Sequence, residues 1–136
     1  DIFFSKGDFD LSIENYKKAL KILKNNYDLS NTLIKLSLAK SLLKKNDIVN
    51  IKEAISLLEN LILIEPHWGN LWRLIAQGYG KIGKKGITYI ALAEESIIKR
   101  DFKKAKKYVD MALKDPALPI NYRLRGNDIT TRIKNK

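Results

Sequence analysis

Few side chains in this chain could carry out nucleophilic, acid–base or metal chemistry. Cysteine is absent, which excludes a thiol nucleophile, a thiolate metal site and a disulfide framework. His67 is the only histidine, and it stands between Pro66 and Trp68 in a turn, where we interpret it as structural or incidental. The sequence has no HExxH pair, no glycine-rich phosphate loop and no G-x-S-x-G motif. We therefore expect no catalytic residue, no metal ligand and no cofactor here.

A pair of adjacent carboxylates, Glu94 and Glu95, also favours structure over catalysis. Neighbouring residues on a helix point in different directions, so the two carboxylates do not converge on one point. Glu94 flanks Ala93, which belongs to an apolar stripe. We expect Glu94 to form a buried salt bridge or to cap a groove.

Polar side chains that follow Trp68 are better suited to binding. They recur at three- or four-residue spacing, which places them on one helix face: Asn70, Arg73, Gln77 and Lys81. Lys40 and Lys44 occupy comparable places on an earlier helix. Such a row can hold an extended peptide through hydrogen bonds and ion pairs, or it can be the solvated side of an amphipathic helix. We expect Arg73 to bind most strongly, since its planar fork grips carboxylates, and Arg73→Ala to leave thermal stability nearly unchanged.

The elements that position these residues are helices. Apolar residues keep a helical period, and no segment alternates as a strand does. A helical stub is expected at 1–5, with Gly7-Asp8-Phe9 as the turn after it. Pro66 should end one helix, and Gly83 should close the helix that holds Trp72. The predicted helices lie near 9–25, 30–45, 50–64, 69–83, 86–99, 102–114 and 119–134.

The most specific pattern lies in residues 72–79. Trp72, Ile75, Ala76 and Tyr79 fall at i, i+3, i+4 and i+7, so they form one apolar stripe. The small alanine lets a second helix pack close to this stripe. The W-x2-I-A-x2-Y spacing resembles the first helix of a tetratricopeptide (TPR) repeat, with Ile and Ala where Leu and Gly are usual.

Other segments resemble further parts of such repeats. Ala54, Leu58 and Pro66 match the second-helix pattern, and partial copies follow residues 7–9 and 100–102, the latter with Ala105. We therefore expect an all-α fold, a superhelical TPR-like solenoid of antiparallel helical hairpins, with about seven helices plus the stub. Residues 1–136 are expected to form a single domain.

One helix does not fit a regular array. Tyr89, Leu92 and Ala93 resemble another first-helix stripe, but they follow Trp72 by only half of the period of about 34 residues. Either the helix over 86–99 is the partner of the Trp72 helix, or a non-repeat helix interrupts the array here. The sequence leaves both arrangements open.

A longer run of residues resembles one protein family. It comprises Asn70–Gly80, Gly83, Ala91-Leu92-Ala93-Glu94 and Asp101–Ala105. It is similar to the C-terminal TPR region of bacterial periplasmic zinc metalloproteases, the group that contains the beta-barrel assembly-enhancing protease. Those proteins share a W-x-x-L-A-x-x-Y-G helix, an A-x-A-E helix half a repeat later and a G-D-x-x-x-A helix. Here Arg100 replaces the usual glycine of the last motif, and 125–129 is compared with a final R-A-x-D-I helix.

This resemblance implies that the chain is a C-terminal fragment of a larger exported protein. The parent would carry an upstream protease domain whose HExxH helix binds zinc, and it would act in the periplasm in quality control of outer-membrane proteins. The TPR part would be a non-catalytic module for protein or peptide partners. It would engage the protease domain, the outer-membrane assembly machinery or client proteins. No apolar run approaches the roughly 18 residues of a membrane span.

The formal net charge of +11 raises the alternative of a basic helical nucleic-acid-binding protein. Lysine far exceeds arginine and is spread over every helix, whereas a nucleic-acid footprint usually clusters on one face. Abundant Lys, Ile and Asn are typical of an AT-rich bacterium. We therefore favour a solvated surface and consider nucleic acid an unlikely partner. A stand-alone TPR adaptor is the other alternative.

Overall fold

The computed structural model describes the backbone of residues 6–23 and 29–136, and the side chains of residues 10–21 and 31–136. Within these ranges the chain forms seven helices and no strand. The all-helical prediction is confirmed, while the expected stub at 1–5 lies outside the described residues. The helices are α1 (Lys6–Leu23), α2 (Leu29–Leu43), α3 (Ile48–Ile64), α4 (Gly69–Lys81), α5 (Lys85–Ile98), α6 (Phe102–Leu113) and α7 (Ile120–Lys134).

The prediction of a turn at Gly7-Asp8-Phe9 is wrong, because α1 already begins at Lys6. The N–H groups of a first helical turn have no intrahelical acceptor. Residues that are poor inside a helix are therefore tolerated at its start. The other six helices begin and end within two residues of the predicted bounds.

The end of α4 shows why glycine is favoured at position 83. Gly83 has a φ of 77°, a left-handed conformation that costs glycine little and other residues more. The Gly83 N–H donates to the Gly80 carbonyl at 3.2 Å, and the Lys84 N–H donates to the Tyr79 carbonyl at 2.9 Å. These two bonds form a Schellman motif, which ends the helix as the sequence predicts.

The end of α5 repeats this motif without a glycine. Arg100 adopts a φ of 61° at the place where the resembling family has glycine. Its N–H donates to Ile97 O at 3.0 Å, and the Asp101 N–H donates to Ser96 O at 2.9 Å. The Asp101 side chain then caps α6 by accepting from the Lys104 N–H at 3.1 Å. One short turn thus ends α5 and starts α6.

The chain divides into two compact units, Asp1–Ile64 and Glu65–Lys136; the prediction of one domain over 1–136 stays a prediction. In the first unit, α2 packs against both α1 and α3. Its buried side chains on α2 and α3 include Leu38, Ala39, Leu42, Ala54, Leu58 and Leu61.

In the second unit, α5 is the central helix and packs against α4, α6 and α7. Its N-terminal half places Ile87 and Ile90 in a core cluster with Ala112, Leu118 and Tyr122. Its C-terminal half places Ala93 in a second cluster, with Val109 and Ile129. The helix that the sequence could not assign is therefore a partner of α4, and it packs against α6 and α7 as well.

Candidate functional site

Helix α4 has two distinct faces. One face is apolar: Trp72, Ile75 and Ala76 are buried, and Tyr79 is half-buried. The indole Nε1 of Trp72 donates to the Pro66 carbonyl oxygen at 3.2 Å, so its one polar atom has a partner in the turn before the helix. The signature stripe of the sequence is thus the face by which α4 joins the core of its unit.

The other face of α4 carries the predicted binding row. Asn70, Arg73, Gln77 and Lys81 are all exposed, and helical periodicity places them side by side. Lys40 and Lys44 are also exposed but belong to the first unit. Their contribution to a peptide groove shared with α4 stays a prediction.

Arg73 already has a partner within the chain. Its Nε donates to Glu95 Oε2 at 2.7 Å, and its Nη2 donates to Glu95 Oε1 at 2.9 Å. This paired geometry is the strongest form of a guanidinium–carboxylate contact. The Lys99 ammonium lies 3.3 Å from the same carboxylate. The Glu95 side chain is only 7% exposed, whereas that of Arg73 is 52% exposed.

The electrostatics of Glu95 follow from these contacts. Burial by itself would raise the pKa of its carboxyl, since it disfavours the charged form. Hydrogen bonds and positive charge from Arg73 and Lys99 outweigh burial, so the pKa of Glu95 lies below its ordinary value. The hydrogen bonds from Arg73 to Glu95 likewise raise the pKa of the guanidinium. Glu95 is therefore a paired anion at neutral pH.

This pair changes what is expected of Arg73. Nearly unchanged stability of Arg73→Ala is no longer the expected result, because the substitution leaves a buried carboxylate without its main partner. Arg73 ties α4 to α5. A contact between its exposed part and a ligand stays a prediction.

Glu94 forms a second buried salt bridge, as one of the two sequence interpretations expected. Its Oε2 accepts from Arg125 Nη1 at 2.9 Å, and its Oε1 accepts from Arg132 Nη2 at 2.6 Å. The Arg125 guanidinium also lies over the Trp72 ring, 4.9 Å from its centroid, a cation–π contact. Sequence reasoning missed both arginines because they lie 31 and 38 residues from Glu94.

The occurrence of arginine in a lysine-rich chain is the sequence feature that could have identified Arg125 and Arg132. Arg123 donates to the carbonyl oxygens of Leu113, at the end of α6, and of Asp115, in the α6–α7 connection. Arg100 lies over the Phe102 ring. Four of the five arginines, all except Arg100, thus donate hydrogen bonds from a planar guanidinium, which lysine reproduces poorly.

These charged groups hold helices together. Both buried carboxylates of α5 are neutralised by cations, and His67 is exposed in the turn before α4. No cluster of three or more potential metal-ligating side chains occurs in the part of the chain that the structure describes. No helix among the described residues is long and apolar enough to cross a membrane.

Comparison with known proteins found no family model, no curated protein and no solved structure that matches this chain.

Proposed function

We propose that this chain is a non-catalytic protein–protein interaction module of the TPR type, which binds a peptide segment of a partner along α4. The observation that carries the proposal is the division of α4 into two faces. Trp72, Ile75 and Ala76 are buried in the core, while Asn70 and Gln77 stay exposed on the polar side. A fixed helix with an exposed row of hydrogen-bonding groups suits a peptide ligand.

The proposal extends to a TPR-like solenoid and to the parent protein. The family resemblance carried by the half-repeat spacing between the Trp72 helix and the Ala91–Glu94 run implies a periplasmic zinc metalloprotease parent. On that basis, the partners are the upstream protease domain, the outer-membrane assembly machinery or client proteins. The full open reading frame tests this part. An upstream HExxH behind a signal peptide would support it, and a bare TPR array would contradict it. Turnover of casein by the purified chain would contradict the non-catalytic part.

Peptide docking is tested by selection from a random library of 16-residue peptides displayed on phage. We expect peptides that bind the purified chain, and we expect the double variant Asn70→Glu, Gln77→Glu to weaken their binding at least tenfold. Both substituted side chains are exposed, so the circular dichroism spectrum of the double variant should match that of the unmodified chain.

The matched control is Asn121→Glu, Asn127→Glu, which adds the same two charges to exposed positions of α7. Binding should survive these substitutions. Peptides that tolerate the α4 variant as well as the control would remove α4 as the docking face. A library without any binder would contradict peptide docking itself.

A second candidate, nucleic-acid binding, is favoured only by the net charge of +11. Charge alone gives binding through release of counterions, which weakens steeply with salt. We expect binding of duplex and single-stranded oligonucleotides to disappear by about 150 mM salt. Binding that survives and prefers one sequence or structure would reverse the ranking of the two functions.

A further inference from the structure

A concave surface lies in the second unit, and none of the four residues of the predicted binding row of α4 lines it. The α4–α5 turn, the C-terminal end of α6 and the α6–α7 connection enclose a pocket of about 480 Å³. This volume falls within the range of about 300–1,000 Å³ that is typical of ligand pockets. Its apolar lining comes from Ile87, Tyr89, Met111, Ala117 and Pro119.

The wall of this pocket is held by four hydrogen bonds, three of them half-buried. Asp115 Oδ2 accepts from the Gly86 N–H at 3.0 Å, and its Oδ1 accepts from the Ala117 N–H at 2.9 Å. A β-carbon at position 86 would lie 2.5 Å from Asp115 Oδ2, so glycine lets the carboxylate keep this position. Arg123 donates to the carbonyl oxygens of Leu113 and Asp115. The pocket is therefore formed before any ligand arrives.

The rim of the pocket is positively charged. Lys84, Lys85 and Lys114 line it, and all three are exposed. None of them forms an ion pair with another described residue. The only carboxylate in the lining belongs to Asp115, and two backbone N–H groups already occupy it. An apolar floor beneath three available ammonium groups is complementary to an apolar ligand group that carries negative charge beside it.

We propose that this pocket binds an acidic peptide segment of a partner protein. One large apolar side chain of the peptide enters between Met111 and Tyr89, and neighbouring carboxylates contact the three lysines. Met111 is 37% exposed, and its flexible thioether side chain adapts to different guests. The proposal rests on the proposed docking function, and it adds a second contact site and the chemistry of the partner segment that binds there.

The lining favours a peptide over a nucleic acid. A nucleic-acid surface usually offers aromatic faces on which bases stack. The one aromatic residue here, Tyr89, already stacks on Tyr108, with ring centroids 6.1 Å apart. The remaining apolar walls are aliphatic, and they suit a Leu or Phe side chain better than the polar edges of a base.

The test uses a fluorescent 12-residue peptide with one central Phe flanked by glutamates, titrated at about 150 mM salt, where weak surface attraction is screened. We expect Met111→Glu and Lys114→Glu each to weaken binding at least tenfold. Replacing the peptide Phe by Ala should have the same effect. In ¹⁵N spectra, the amides of Gly83, Gly86 and Ala117 should shift on titration.

The matched controls are Leu124→Glu, an exposed apolar residue of α7, and Lys103→Glu, an exposed lysine of α6. Both should bind the peptide within twofold of the unmodified chain. Equal losses of peptide affinity in the pocket and control variants would contradict binding in this pocket. Unchanged affinity for the peptide in which Phe is replaced by Ala would contradict it as well. Absence of binding by this peptide would overturn it too.

The α4 double variant separates this proposal from the docking function. Peptide binding that is lost on Asn70→Glu, Gln77→Glu but survives Met111→Glu would leave docking intact and overturn the pocket. A phage library without binders would overturn both. A duplex oligonucleotide that binds tighter than the peptide and shifts the same three amides would also overturn the assignment.

Discussion

At the scale of single residues, the two buried carboxylates of the second unit, Glu94 and Glu95, connect helices. Glu94 and Glu95 are neighbours in sequence, but the helix turns them towards different partners. Glu95 meets Arg73 on α4, and Glu94 meets Arg125 and Arg132 on α7. A carboxylate in such a place is costly unless it is paired. The pairing explains why adjacent acids are tolerated inside an all-helical core.

Arg73→Ala should lower the free energy of unfolding by about 1–2 kcal/mol. Loss of one partner from a buried charge pair costs more, but Arg73 is half-exposed and Lys99 remains, so the effect is discounted for solvent screening. Urea denaturation followed by circular dichroism measures it. Lys106→Ala, which breaks the exposed Lys106–Asp110 pair, should change stability by less than about 0.5 kcal/mol. Equal changes in the free energy of unfolding would mean that the Arg73–Glu95 pair stabilises the fold no more than an exposed ion pair does.

Glu95 should make the stability depend on pH in the acidic range. Its folded-state pKa is depressed below the ordinary value of 4.5. The ionised carboxylate therefore contributes stability above that value, and the contribution is lost as pH falls through the lower folded pKa. The difference in unfolding free energy between the unmodified chain and Glu95→Gln should be steady from pH 7 to about pH 5 and shrink below about pH 4.5. A difference that grows on acidification would contradict this sign.

Trp72→Ala should destabilise the second unit by about 3–5 kcal/mol. The side chain is buried, its Nε1 donates to a carbonyl oxygen, and Arg125 lies over its ring. The substitution therefore leaves a cavity and removes the partner of that carbonyl oxygen and of the Arg125 guanidinium. Thermal and urea unfolding measure the change. Trp68→Ala should cost less, because Trp68 is only half-buried in the approach turn. Equal and small losses at both positions would show that the packing stripe is misplaced.

At the scale of helices, left-handed residues end two of the central elements. Gly83 and Arg100 occupy the same position of the same motif, after α4 and after α5, with φ values of 77° and 61°. For a residue with a β-carbon this conformation costs roughly 1–2 kcal/mol. The α5 end therefore carries backbone strain that the α4 end avoids.

Substitutions at these two ends should act in opposite directions. Gly83→Ala should destabilise by about 1 kcal/mol, since alanine is strained at positive φ. Arg100→Gly should stabilise by up to about 1 kcal/mol, less the entropy of a freer unfolded chain and the contact between Arg100 and the Phe102 ring. Differential scanning calorimetry gives both shifts. A lower melting temperature for Arg100→Gly would mean that the side-chain contacts of Arg100 outweigh its backbone strain.

At the scale of the whole molecule, the second unit has what a small independent domain needs. Two apolar clusters centred on α5 lie in its core, and salt bridges join α5 to α4 and α7. We expect a fragment of residues 65–136 to fold cooperatively without residues 1–64. Circular dichroism with thermal unfolding would show a helical spectrum and one sigmoidal transition.

The matched control is the fragment 65–113, which lacks α7. It loses Tyr122 and Ile129 from the two clusters and both guanidinium partners of Glu94. We expect this shorter fragment to be largely unfolded. A fragment 65–136 without a cooperative transition would contradict the independence of the second unit, and its stability would then depend on the first.

Local sequence determined the helices, most of their ends and the buried stripe of α4. Each depends on residues a few positions apart: the period of Trp72, Ile75 and Ala76, the positive φ that suits Gly83, and the break at Pro66. The prediction of a turn at Gly7–Phe9 is wrong because a first helical turn tolerates residues that elsewhere end a helix.

Only the tertiary structure decided which groups meet across helices. The sequence shows Glu94, Glu95 and the arginines, but their pairing joins residues 22 to 38 positions apart, and it depends on how α4 and α7 cross α5. The same holds for the lysine-rimmed pocket, which needs Gly86 of α5 to lie against Asp115 of the α6–α7 connection. Periodicity in the sequence shows which face of a helix is apolar. Only the packing of the helices shows which other helix that face contacts.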